Sequence, residues 1–184
     1  LEHNGVIVKG DGFLPDDLTN KALSFIESNK NNPFFLYIPY NTPHSPMQVP
    51  DAWWDRFKNN DIDNSHPNKD QENIDHTKAA YALCENIDWN VGRVGQKLKE
   101  LGLEENTIVV YLSDNGPNGW RWNGGMKGIK GSTDEGGVRS PLIIQWKGKI
   151  ASGKKVEQIS SAIDLLPTLA ELTGIKLKPS KPLD

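Results

Sequence analysis

The chain has 184 residues, of which 36% are hydrophobic and 24% charged, with a formal net charge of -3. A chain of this size buries roughly 70% of its unfolded surface, so a packed domain is expected rather than a disordered one. The slight negative balance gives no basic field for nucleic acid, and no apolar run approaches the roughly 18 residues of a membrane span.

The N-terminus has no signal-peptide pattern, and Leu1-Glu2-His3 opens without an initiator methionine, so the chain is expected to begin in mid-gene. From Asp17 to Lys30 the apolar residues Leu18, Ala22, Phe25 and Ile26 fall at helical spacing, and Asn31-Asn32-Pro33 stops the helix. Asp16 and Asp17 open this helix and read as its cap. The run Phe34-Phe35-Leu36-Tyr37-Ile38 then predicts a strand buried on both faces, emptying into the turn-rich Asn41-Thr42-Pro43-His44-Ser45-Pro46. Residues 59–71, rich in Asn and Asp, read as a surface loop.

The longest predicted helix runs from Ile74 to Leu101, with Leu83, Ile87, Val91, Val94, Leu98 and Leu101 as its apolar stripe and Gly102 just past its end. Cys84, the one cysteine, lies in this pattern, where a buried, inert thiol is expected, and no disulfide framework is possible. Strand Thr107–Leu112 follows, then a glycine-rich segment from Asn115 to Gly137, then strand Pro141–Trp146. A last helix is predicted from Asp164, as N-cap, to Thr173, closed by Gly174. The tail from Lys176 to Asp184, with Pro179 and Pro182, shows no element of its own. Alternation of helix and apolar strand predicts α/β layering with a largely parallel sheet.

Three loops after or between these strands carry different chemistry: His44, then Asp114 and Asn115 in Ser113-Asp114-Asn115-Gly116, then Lys130 in Gly128-Ile129-Lys130-Gly131-Ser132. With the strands as parallel neighbours, the loops are expected to meet at one sheet edge, where ligands bind in α/β folds. Two hard oxygen ligands beside a histidine and a lysine describe a place for a divalent cation and an anionic substrate. Each member also has a plainer reading: an Asx turn, a loop histidine, a solvated lysine. Glu135-Gly136-Gly137-Val138-Arg139 reads as scaffold, with Glu135 paired to Arg139. Trp120 and Trp122 read either as an aromatic wall for a substrate ring or as local core.

Six motifs in order extend these residues into a family pattern: Phe34-Phe35-Leu36-Tyr37; Thr42-Pro43-His44-Ser45-Pro46; Glu85-Asn86-Ile87-Asp88; Val109 through Gly116; Lys130 through Pro141; and Ile163 through Leu169. Together they resemble the arylsulfatases of the alkaline-phosphatase superfamily, from about Asp17 to Ile175. The resemblance implies a mixed, mainly parallel sheet flanked by helices, and hydrolysis of sulfate esters by a formylglycine nucleophile at bound Ca²⁺. It implies that Asp114 and Asn115 are metal ligands, that His44 contacts the sulfate, and that Lys130 pairs with the sulfate and the leaving oxygen. The partner it implies is a small-molecule or glycan sulfate ester, and the location periplasmic or secreted.

Asn115 favours calcium, because related metallophosphatases place a histidine there to hold zinc, a softer ion. No proline is followed two places later by arginine, so the family's Cys/Ser-x-Pro-x-Arg nucleophile motif is absent, as is its Gly-Lys-Trp-His-Leu-Gly element. Residues 1–184 are therefore expected to be a partial catalytic domain, the middle and later part, without its first portion or its C-terminal subdomain. Such a chain is expected to be inactive alone and to carry an apolar surface suited to association. The alternatives are a phosphoryl or phosphonate ester hydrolase of the same superfamily, or a non-catalytic module that holds a sulfated glycan.

Overall fold

The computed structural model describes residues 1–178. The expectation for Pro179 and Pro182 falls outside the described residues. The chain forms two compact units, Leu1–Ile150 and Ala151–Asp184.

The first unit opens with a hairpin of β1 (Glu2–His3) and β2 (Val6–Ile7), turned at Asn4-Gly5, where φ is 52° and 82°. Consecutive positive φ values at an Asn-Gly pair are those a tight hairpin needs. Helix α1 (Leu14–Asn29) follows. It starts earlier than the sequence predicts, because Pro15 takes a place in the first turn, where a missing N–H costs nothing. Asp16 and Asp17 are therefore first-turn residues, and the cap position belongs to Phe13, which makes no side-chain cap. As first-turn acids they still place negative charge at the positive end of the helix.

Phe34–Ile38 is extended but unpaired, which corrects the predicted doubly buried strand. Burial alternates instead: Phe34, Leu36 and Ile38 are half-buried, while Phe35 is 80% and Tyr37 72% exposed. A strand acquires its ladder only from a neighbour, and no segment among the described residues pairs with this one. The short helix α2 (Asp51–Trp54) then brings Trp53 to 5.7 Å from Trp89, ring centre to ring centre.

Helix α3 (Ile74–Glu100) is the longest element and ends where predicted, with Gly102 at φ 68°. The Asn73 side chain caps it by accepting from the His76 amide at 3.1 Å. Leu83, Ile87 and Leu98 are buried on its stripe, and Ala79, Ala80 and Ala82 extend the buried surface toward Ala22 and Ile26 of α1. Cys84 is exposed, which corrects the buried thiol. It lines a cavity of about 360 Å³ with Ile87, Val91, Tyr111 and Ile143, and crowding there still pushes its pKa up by desolvation.

Strands β3 (Val109–Leu112) and β4 (Leu142–Gln145) pair antiparallel, in register from Val109↔Gln145 to Leu112↔Leu142. Both ladders among the described residues are antiparallel, so helices and strands alternate as expected but the mainly parallel sheet is not seen. The glycine-rich segment, with the short helix α4 (Glu135–Val138), is thus one long connection between antiparallel partners.

In the second unit a 3₁₀ turn, Ala162–Asp164, leads into α5 (Leu165–Thr173). Asp164 stands at the N-cap position, but its carboxylate accepts from the Ser161 amide at 2.7 Å and not from α5. Gly174, at φ 72°, closes α5 as predicted.

Candidate functional site

Antiparallel pairing decides what meets at the end of β3. The Ser113 amide donates to the Pro141 carbonyl at 3.2 Å, and the Ser140 hydroxyl donates to the Ser113 carbonyl at 2.7 Å. The chain leaving β3 and the chain entering β4 are therefore sewn together just before Asp114. Asp114 is exposed and its Oδ1 accepts from the Asn115 amide at 3.0 Å. Asn115 is half-buried, and its Nδ2 donates to the Gly116 carbonyl at 2.8 Å. These bonds join sequence neighbours only, and the Gly116 amide, which an Asx turn would direct to Asp114, goes to Gly137 instead. The local arrangement is thus a compact turn without the Asx bond. It leaves the second Asp114 oxygen and the Asn115 amide oxygen as hard donors at the loop surface.

Gly116, Gly128, Gly136 and Gly137 explain how Lys130 comes to the same place. A Cβ on Gly116 would lie 1.9 Å from the Gly136 carbonyl oxygen, and one on Gly136 would lie 2.2 Å from that of Gly128. The backbones touch directly and bond: Gly116 donates to Gly137 at 2.9 Å, Gly136 to Lys127 at 2.7 Å, and Lys130 to Pro117 at 2.9 Å. The amide of Lys130 is anchored two residues beyond Asn115. Its side chain is half-buried and enters no ion pair among the described residues, whereas Lys127 pairs with Asp134 at 3.1 Å. Glu135 and Arg139 pair as expected, at 3.3 Å.

His44 is exposed and approaches from another direction. Its Nδ1 lies 2.7 Å from the Ser45 carbonyl oxygen. A carbonyl only accepts, so the imidazole holds a proton on Nδ1 and presents Nε2. The Ser45 hydroxyl lies 3.2 Å from Nε2 of His76, whose Nδ1 lies 3.3 Å from the Arg121 guanidinium. Arg121 faces Glu72 at 3.7 Å, and Glu72 also accepts from the Thr77 hydroxyl at 2.5 Å and from the Trp120 amide. No hydrogen bond or ion pair joins His44 to Asp114, Asn115 or Lys130 among the described residues. The structure joins Lys130 to Asp114 and Asn115 through backbone, and His44 to the Trp120-Arg121 stretch through His76.

Glu72, His76 and Arg121 were not legible as site residues. Glu72 ends a polar loop, His76 begins a helix, and Arg121 stands between Trp120 and Trp122 with nothing in its spacing to mark it. The two tryptophans separate: Trp120 packs on His66 at 5.3 Å as local core, while Trp122 is 48% exposed.

No group of three or more His, Cys, Asp or Glu side chains among the described residues is arranged to hold a metal ion. The donors at Asp114 and Asn115 are oxygens, which fit Ca²⁺ in kind, and they are two of the six to eight that it takes.

The family model described as Sulfatase matches residues 2–175. The chain is similar to the uncharacterized sulfatase YdeN of Escherichia coli K12, 32% identical over 96% of the chain and 30% of that protein. It is similar to steryl-sulfatase of Rattus norvegicus, 32% identical over 93% of the chain and 28% of that protein. Among solved structures it superposes on Ps i-CgsB, in complex with k-i-k-neocarrahexaose, with a TM-score of 0.85 and 36% identity, over 100% of the chain and 39% of that one. The chain thus spans about 30% of the length of the curated relatives it matches.

Proposed function

The chain belongs to the sulfatase family, and from that premise we propose that it is part of the catalytic domain of a sulfuric ester hydrolase. The observation that supports this reading is the backbone bond from Lys130 to Pro117, which holds the Lys130 backbone near the Asp114-Asn115 loop; in this reading its ammonium lies beside their oxygen donors. A cationic side chain next to a hard-oxygen pair suits an ester whose departing group and transferred sulfuryl oxygens are both negative.

In this reading Asp114 and Asn115 hold Ca²⁺ together with ligands from elsewhere in the full-length parent. The ion, when bound, withdraws charge from the sulfate oxygens. Lys130 offers its ammonium to the sulfate and to the leaving oxygen, where negative charge grows as the S–O bond breaks. His44, its Nδ1 proton held by Ser45, offers Nε2 to the sulfate. The nucleophile, a formylglycine by family resemblance, comes from outside residues 1–184. This chain is inactive alone.

The substrate is a sulfate ester of a small molecule or glycan. Support comes from the exposed indole of Trp122, suited to a sugar or aryl ring, and from the oligosaccharide held by Ps i-CgsB. No helix among the described residues is long and apolar enough to cross a membrane; a periplasmic or secreted parent fits the family. The exposed apolar side chains of Phe35, Tyr37, Leu142 and Ile143 are covered by other strands of the parent.

The test is sulfate release from 4-nitrophenyl sulfate by the full-length parent with Ca²⁺. Activity lost by about 10²–10³ on Lys130→Ala is expected. A parent that cleaves 4-nitrophenyl phosphate but not the sulfate overturns the reading in favour of a phosphoryl hydrolase.

A further inference from the structure

The side chains around Ser45 form a directional chain that the proposed reaction has not used. Arg121 is donor-only, so at 3.3 Å from Nδ1 of His76 it requires that nitrogen to accept. With Nδ1 accepting, the neutral ring carries its proton on Nε2, which then donates to the Ser45 hydroxyl oxygen at 3.2 Å. That oxygen has received its hydrogen bond, and the hydroxyl proton is left to donate elsewhere. The other polar group of Ser45, its carbonyl, already accepts from His44 at 2.7 Å. Ser45 therefore sits between two histidines of opposite tautomer, exposed, next to the residue that faces the sulfate.

The chain's origin is firmly held. Glu72, whose carboxylate faces Arg121 across 3.7 Å, has a side chain only 3% exposed and takes bonds from Thr77 and from the Trp120 amide. Arg121 itself is 12% exposed. A largely buried guanidinium paired with a buried carboxylate turns an otherwise free imidazole and sets the sense of the hydrogen bonds beyond it.

We infer that the Ser45 hydroxyl is a binding residue that donates to an anionic oxygen of the ester beside His44, and that His76 and Arg121 are positioning residues that set its direction. The inference rests on the sulfatase reading above for the nature of the anion. Glutamine at position 76 can accept through its oxygen and donate through its nitrogen, so it can keep the sense of the chain; phenylalanine cannot.

The experiment compares the full-length parent with its Ser45→Ala, His76→Gln and His76→Phe variants on 4-nitrophenyl sulfate. A hydrogen bond to a charged group corresponds to a fall of about tenfold to a hundredfold in kcat/KM, expected for S45A and for H76F. H76Q is expected to stay within about threefold of the parent, and S45A/H76F to fall no further than S45A alone. S45A indistinguishable from the parent, or H76Q as impaired as H76F, overturns the inference. Nitrogen-15 spectra of the histidine-labelled parent, taken at about pH 8, above the ordinary range of free imidazole, give an independent reading. Nε2–H at His76 with Nδ1–H at His44 supports it, and Nδ1–H at His76 overturns it. A parent that cleaves no sulfate ester refutes the sulfatase reading instead, and the spectra then decide alone.

Discussion

The Oδ1 atom of Asp16 on α1 accepts from the Nδ2 of Asn90 on α3 at 2.8 Å. The same oxygen accepts from Asn86 at 2.9 Å, and both asparagines are fully buried. Arg93 completes the group by donating to Asn90 at 2.9 Å and to Asn20 at 2.5 Å. Helix packing alone fixes a stripe, but these bonds fix how far one helix is slid along the other.

Removing Asn90 leaves the half-buried Asp16 carboxylate with Asn86 alone and takes the acceptor from Arg93. Asn90→Leu is expected to lower stability by about 1–3 kcal/mol, more than the apolar side chain returns. Urea unfolding followed by circular dichroism checks this; an unchanged midpoint would show that water replaces the lost bond.

The glycines of the site and those of α3 answer oppositely to the same substitution. Gly136→Ala sets a methyl against the Gly128 carbonyl at 2.2 Å and Asn123 at 2.7 Å, so the connection must open and the site lose its shape. Gly92→Ala meets nothing within 4 Å on an exposed helix position and is expected to stabilise by about 0.5–1 kcal/mol. Melting temperatures should move in opposite directions.

Asp17 bonds to Lys21 one turn along α1, and that bond holds its carboxyl below the ordinary carboxylate range. The unfolded carboxyl titrates near about 3.9. The pair therefore stabilises the fold fully above that value, and the contribution disappears as pH falls through the lower folded pKa. Lys21→Met should flatten the loss of stability below about pH 4, seen in urea midpoints taken across pH.

Cys84 illustrates how exposure and reactivity part company. Desolvation beside Ile87 and Tyr111 raises its pKa, so little thiolate exists at neutral pH. Alkylation by iodoacetamide at pH 7 should be slower than that of free cysteine and should rise at higher pH than an ordinary thiol. A rate equal to free cysteine would count against the cavity as drawn.

Chain alone, with no nucleophile motif, should release no sulfate from 4-nitrophenyl sulfate. Turnover by the pure 184-residue protein, surviving Lys130→Ala or not, would contradict its proposed place in a larger catalytic domain.

Helices were legible because their signals are local. The 3.6-residue period of Leu83, Ile87 and Leu98 and the stop at Gly102 need no knowledge of the rest of the chain. Strand direction was not legible, since Val109–Leu112 reads the same whether its neighbour runs parallel or antiparallel. The apolar run Phe34–Ile38 suggested burial on two faces, yet only alternate residues are covered, because burial depends on neighbours that periodicity does not report. Asp114, Asn115 and Lys130 stood out by chemical type next to turn residues. Glu72, His76 and Arg121 did not, because their meaning lies in contacts between distant segments, 45 residues apart in the case of His76 on α3 and Arg121.

Asn123 donates from Nδ2 to the carbonyls of Met126 and Gly128, at 2.9 and 3.2 Å, beneath a tip formed by Gly124 and Gly125. Everything below that clamp is crowded backbone, and the tip above it is exposed. Added residues at the tip would lengthen the loop next to Trp122 while Lys130 stays anchored to Pro117. Growth at Gly124-Gly125 therefore reshapes the surface beside Trp122 and leaves the Lys130–Pro117 bond in place, so tips of different length can be grafted onto this clamp to vary the one without moving the other.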